Sequence, residues 1–146
     1  MRLRIVVAFL LTWAVVAGGN VVTPQPLLAQ QAPGRAVSVD GGQYRDIIVP
    51  ELQAMLQTKD FSLVNVHVPF AGDLPLTDAS IRFDEITSHL DQLPADKNAK
   101  IVLYCRTGPM STRAARDLVG LGYTNVYNLV GGFTAWVEAG LPLAGN

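Results

Sequence analysis

The stretch Ile101-Val102-Leu103-Tyr104-Cys105-Arg106-Thr107-Gly108-Pro109-Met110-Ser111 constrains the fold of this chain more than any other. Four β-favouring apolar residues after Lys100 make a short continuous run, the pattern of a strand covered on both faces of a parallel sheet. Gly108 and Pro109 punctuate it. Ser111 is a suitable N-cap for the helical spacing of Ala114, Leu118 and Leu121; Ala115 widens that stripe and Gly122 supplies a stop. The only cysteine, Cys105, therefore falls where a strand gives way to a helix.

That position has a chemical consequence. The first N–H groups of a helix are unpaired and carry the positive end of its dipole, so an anion is favoured there. A thiol of ordinary pKa, about 8.5, is largely protonated at pH 7, and amide donors at a helix start pull it down. Arg106 adds a cation. A lone cysteine elsewhere in a fold is commonly a small buried hydrophobe; this one is placed as a nucleophile.

The flanking chain alternates strands and helices. Tyr44 to Ile47 is expected as a weak edge strand, and a helix starts at Val49-Pro50-Glu51 with Leu52, Met55 and Leu56 inward. Phe61 to Val68 reads as a second buried strand, with Asn65 and His67 at its carboxyl end. A loop from Pro69 to Asp78, a short strand from Ala79 to Arg82 and a helix from Phe83 to Leu93 follow. His89 lies beside the apolar stripe of that helix as a packing residue. Val126 to Val130 is a further strand, and Gly131-Gly132 opens a last helix carrying Phe133, Trp136 and Val137. This order indicates βαβ units, hence an α/β fold with a mainly parallel sheet covered on both faces. Ligands of such sheets bind outside the carboxyl ends of the strands, so the loops after His67, Cys105 and Val130 converge on the thiol.

Length and composition narrow the possibilities. With 146 residues, 49% hydrophobic and 16% charged, the chain suits one globular domain. A net charge of −1 without a basic cluster gives no reason to expect a nucleic-acid partner. One cysteine excludes an internal disulfide, and Cys105 with His67 and His89 in unrelated segments falls short of a zinc set. No metal is assigned.

At the N-terminus Arg2 and Arg4 precede an apolar run from Ile5 to Ala17, the pattern of a secretory signal. Residues 1–29 are read as that signal, with cleavage after Ala17 or Ala29 both open, and 30–43 as a linker to a domain at 44–143. Loss of Arg2 and Arg4 from the eleven basic side chains, against twelve acidic ones, would take the net charge from −1 to −3. The expectation is a periplasmic or secreted protein with no stable membrane insertion after cleavage, an uncleaved N-terminal anchor being the alternative.

Three stretches resemble the single-domain rhodanese-like sulfurtransferases: Ile101 to Met110; Leu129-Val130-Gly131-Gly132-Phe133-Thr134-Ala135-Trp136 with Ala139-Gly140-Leu141-Pro142; and the strand Leu63 to His67. The resemblance implies a five-stranded, mainly parallel sheet flanked by helices on both faces. It implies that Cys105 is catalytic and carries a persulfide between a small anionic donor, such as thiosulfate, and a thiol acceptor, with no cofactor. The N–H groups of the loop would point at the sulfur. Arg106, Thr107, Gly108, Met110 and Ser111 would bind substrate: Arg106 by attracting the anion, Thr107 and Ser111 by hydrogen bonds, Gly108 by adopting positive φ.

Two departures stand out. Pro109 has no N–H to contribute to the loop. Asn65 and His67 stand where relatives commonly show an aspartate and an arginine, which leaves His67 as a possible accessory base for an incoming thiol. Two other functions compete: a non-catalytic or thiol-redox module forming mixed disulfides through Cys105, and a phosphatase or arsenate reductase. The last requires an arginine where this chain has Ser111.

Overall fold

The sheet runs in the order β1-β2-β6-β5-β3-β4, with β1 at Arg35–Val39, β2 at Gly42–Ile47, β3 at Ser62–Asn65, β4 at Ala79–Ser80, β5 at Ile101–Tyr104 and β6 at Val126–Leu129. Among the described residues three α-helices complete it: α1 at Val49–Leu56, α2 at Pro109–Gly120 and α3 at Gly132–Glu138. This is a computed structural model, and it describes residues 32–144. The expected signal segment, 1–29, lies outside the described residues.

β5 is the central strand. It pairs in parallel with β3, Asn65 opposite Tyr104, and with β6, Asn128 opposite Leu103. All four of its side chains are buried, and they alternate between two cores. Ile101 and Leu103 pack with Ala114, Ala115 and Leu118 of α2, while Val102 and Tyr104 pack with Leu52 of α1 and with Phe133 and Trp136 of α3. The fold is thus α/β with a mostly parallel sheet covered on both faces, as the apolar run in β5 predicts.

Among the described residues the sheet has six strands where five were expected. The sixth, β1, lies inside the stretch read as linker (30–43): it pairs antiparallel with β2, Val39 opposite Gly42, across the two-residue turn Asp40-Gly41. Asp-Gly between short runs with alternating apolar residues is a hairpin signal, and the Pro, Gln and Ala around it obscured it. β1 moves β2 from the edge to an interior position, so Tyr44 is buried.

The helix expected over 83–93 is replaced by two 3₁₀ turns, Ile86–Ser88 and Leu90–Gln92. Ile86 and Leu93 still reach the core, which is all their spacing required. Ile86-Thr87-Ser88-His89 is a run of weak helix formers, too poor to propagate the α conformation without other support.

α2 begins earlier than expected. Gly108, not Ser111, is its N-cap, and Pro109 takes the first turn, where its missing N–H costs no helical bond. Leu121 falls just past the helix, 41% exposed, so its expected place in the inward stripe is not realised.

Candidate active site

The end of β5 and the start of α2 leave four residues to turn the chain, and that turn wraps the thiol. Cys105 is only 1% exposed. The N–H of Gly108 donates to Sγ at 3.0 Å, and the hydroxyl of Ser111 lies 3.5 Å from Sγ and 3.0 Å from the carbonyl oxygen of Gly108. The hydroxyl has one proton to share between these acceptors; negative charge on the sulfur favours Sγ. Gly108 has φ 120°, a conformation side-chain-bearing residues rarely adopt.

Burial alone would push the Cys105 thiol up. The hydroxyl of Ser111 and the backbone N–H groups of Ser111, Gly108 and Thr107 outweigh it, so the pKa lies below the ordinary thiol value. None of these donors is Pro109. The proline departs from the usual loop at a position the sulfur does not depend on.

The loop rests on α3. The N–H of Phe133 donates to the Cys105 carbonyl at 3.0 Å, and that of Thr134 to the Arg106 carbonyl at 3.0 Å. Gly132, at φ 56°, makes this approach possible: a Cβ there would collide with both carbonyl oxygens. The double glycine thus bears on the site by close backbone approach, a role beyond the helix opening and the resemblance for which the sequence marked it.

A polar cluster was not foreseen. Asn65, 1% exposed, donates from Nδ2 to the Gly72 carbonyl at 3.0 Å and to Asp73 Oδ1 at 2.8 Å, while its Oδ1 accepts the N–H of His67 at 3.0 Å. The Tyr104 hydroxyl donates to Asp73 Oδ1 at 3.1 Å and accepts the N–H of Leu74 at 3.0 Å. Together these groups tie the 69–78 loop to the carboxyl ends of β3 and β5. The signal, a polar residue ending an apolar strand, was present at Asn65, but its partners lie outside that strand.

The remaining expected site residues divide. Arg106 and Thr107 are exposed at the loop, and among the described residues Arg106 makes no salt bridge. Met110 is half-buried and packs against the α2-side core. Arg113 pairs with Asp117 at 3.3 Å on the solvent side of α2. Ser111, fully buried against the sulfur, fills the place a phosphate cradle gives to arginine. His67 stands edge-on to Phe133, ring centroids 5.5 Å apart. No cluster of three potential metal ligands occurs among the described residues.

A cysteine at the strand-to-helix junction of a parallel sheet, its sulfur held by the Gly108 N–H and the Ser111 hydroxyl and its thiol pKa lowered, defines a class of α/β protein with an activated thiol at the carboxyl end of the central strand. The rhodanese-like domain profile matches residues 50–139, and the chain belongs to that family. A sulfurtransferase from Allochromatium vinosum is 35% identical over 100 residues, covering 62% of this chain and 85% of that protein. The chloroplastic thiosulfate sulfurtransferase 16 of Arabidopsis thaliana is 29% identical over 102 residues, covering 70% and 79%. A rhodanese-related protein from Thermoplasma volcanium superposes with a TM-score of 0.60 at 26% identity, over 69% of this chain and 98% of that one. These relatives support sulfur transfer as the general activity.

Proposed function

We propose that this protein is an exported sulfurtransferase that moves sulfane sulfur from thiosulfate or a persulfide to a thiol acceptor by way of a Cys105 persulfide. The observation that carries this reading is the Gly108 N–H held 3.0 Å from Sγ in a loop with the Ser111 hydroxyl beside it. In the loading step the Cys105 thiolate attacks the outer sulfur of thiosulfate. A new S–S bond forms, the old one breaks, and sulfite leaves with the electron pair. The persulfide anion left on Cys105 is then stabilised by main-chain donors that need no reorganisation. Exposed Arg106 supplies charge attraction for the dianionic donor.

Intact-mass measurement of the purified domain after exposure to thiosulfate tests this. The expected result is a gain of one sulfur on Cys105, lost on adding a reducing thiol and absent in Cys105→Ser. A stable mixed disulfide with no sulfur gain would overturn it in favour of a thiol-redox module. Export rests on the pattern of Arg2, Arg4 and the Ile5 to Ala17 run. Recovery of the expressed full chain from the cytoplasm with Met1 to Ala17 intact would refute it.

A further inference from the structure

The carboxyl ends of β2 and β6 expose two β-branched side chains beside the cysteine loop, Ile48 at 53% and Val130 at 45%. The sheet explains both. The N–H of Val130 donates to the Ile47 carbonyl at 2.9 Å, which carries the β2–β6 pairing past the strand ends and sets Ile48 and Val130 side by side. Alternation puts them on the same face as Asp46 and Asn128, the face that α2 covers through Thr112. Because β5 and β6 are parallel, α2 carries the chain back towards the amino ends of the strands. The positions just beyond the carboxyl ends therefore have no helix over them.

Two hollows meet on this apolar shelf. One, of about 540 Å³, is lined by Gly34, Arg35, Asp46, Ile48, Glu51 and Val130. The other, of about 310 Å³, shares Asp46 and Val130 with it and reaches Thr107, Gly108 and Gly131. Gly108 is the residue whose N–H holds Sγ at 3.0 Å. A groove thus runs from the cysteine loop across β6 and β2 to β1, and its far wall is pinned. Glu51 accepts the N–H of Gly34 on one oxygen and that of Ile48 on the other, both at 2.9 Å. Arg45 donates to the carbonyls of Ala32, Pro33 and Gly34 at 2.9, 2.7 and 2.6 Å.

The charges in the groove decide what a ligand brings to that wall. Glu51 has both oxygens engaged, and Asp46 already accepts from Arg35 at 3.1 Å and from the Asn128 amide at 2.8 Å. Arg35 gives one nitrogen to Asp46 and has its side chain 80% exposed, so among the described residues lining the groove its guanidinium is the charge with donors to spare. The register gives the span. Arg35 lies opposite Asp46, Asp46 opposite Asn128, and Asn128 opposite Leu103, two residues before Cys105. Three strand spacings and two residues of rise put the Cα atoms of Arg35 and Cys105 about 16 Å apart. The Arg35 side chain leans along that row to Asp46, and the remainder is the reach of roughly two or three extended residues.

We propose that this groove holds the body of the sulfur acceptor, a small thiol with a carboxylate that lies on Arg35 while the chain between rests on Ile48 and Val130. The inference rests on the sulfurtransferase reading and names the acceptor that site selects. The acceptor loses its S–H proton to water, and its thiolate attacks the outer sulfur of the Cys105 persulfide. A new S–S bond forms, and the bond to Sγ breaks with its electron pair returning to Cys105. Arg35 touches no reacting atom; it sets which acceptor is held in place for the attack.

The experiment is single-turnover discharge of the thiosulfate-loaded full chain by N-acetylcysteinylglycine and by its C-terminal amide, each rate divided by the thiolate fraction of the acceptor. The ratio of the two acceptors within one protein is the readout, so general damage to the loop cancels. At low salt the wild type is expected to favour the carboxylate about fivefold, the effect of a largely exposed ion pair, and the preference should fade at about 1 M salt. Arg35→Gln should bring the ratio to parity, and Arg35→Lys, which keeps the charge, should retain part of it. Parity in the wild type overturns the proposal; it is the result expected where the chain before Ala32 or a second protein fills the groove. An undiminished preference in Arg35→Gln overturns it as well, because the carboxylate then lies elsewhere. Failure of the wild type to load from thiosulfate is a separate outcome, which removes the sulfurtransferase reading and this inference with it.

Discussion

The amide of Gly108 reaches the sulfur of Cys105 at 3.0 Å, and at φ 120° the same residue turns the chain from the loop into α2. Replacement by alanine forces either strain of about 1–3 kcal/mol or a rotation that removes the donor. Gly108→Ala is expected to lose persulfide formation disproportionately to stability, as measured by sulfur loading alongside urea unfolding.

Ser111→Ala removes the hydroxyl that helps offset burial of Cys105, so the thiol pKa should rise. The pH dependence of iodoacetamide alkylation measures this directly, and its midpoint in the variant is expected above that of the wild type. The linkage has a defined sign. A cysteine pKa lowered by folding contributes stability that is complete above the unfolded value of about 8.5 and is lost as pH falls through the folded one. Stability of the wild type relative to Cys105→Ser should therefore grow as pH rises through that window, and unfolding midpoints at several pH values check it.

Gly132→Ala places a Cβ against the carbonyl oxygens of Cys105 and Arg106, both main-chain atoms that cannot swing aside. The expected cost is about 1–3 kcal/mol or more, with loss of sulfur loading because α3 no longer seats under the loop. Denaturant unfolding and loading on the same sample test the pair of effects.

Tyr104→Phe leaves the buried N–H of Leu74 without its acceptor and takes a donor from Asp73. An unsatisfied buried amide costs about 1–3 kcal/mol. Faster hydrogen exchange confined to residues 69–78 is expected, with the β5 amides still protected.

A chain starting at Tyr44 lacks β1 and leaves the outer edge of β2 unpaired, with Tyr44 uncovered. An open strand edge invites association. Such a fragment should melt at a lower temperature than one starting at Ala32 and form oligomers on sizing chromatography.

What the sequence by itself determined is local. Ile101 to Tyr104 reads as a doubly covered strand because four consecutive apolar β-formers have no other economical burial, and Gly108-Pro109 places the turn and helix start after Cys105. The nucleophile follows from those two facts. Tertiary structure decided whatever depends on residues far apart in the chain. β1 is the exception: its Asp40-Gly41 turn was a local signal obscured by the Pro, Gln and Ala around it, while the parallel pairing of β2 with β6, 82 positions away, came from the tertiary structure. Over residues 83–93 two 3₁₀ turns, Ile86–Ser88 and Leu90–Gln92, suffice to bury Ile86 and Leu93, and the weak helix formers between them do not extend an α-helix. Asn65, Asp73 and Tyr104 form one network, and Gly132 meets Cys105, only once β3, β5 and α3 are assembled. Periodicity records which face a residue turns inward; it carries no record of the partner that arrives from the other end of the chain.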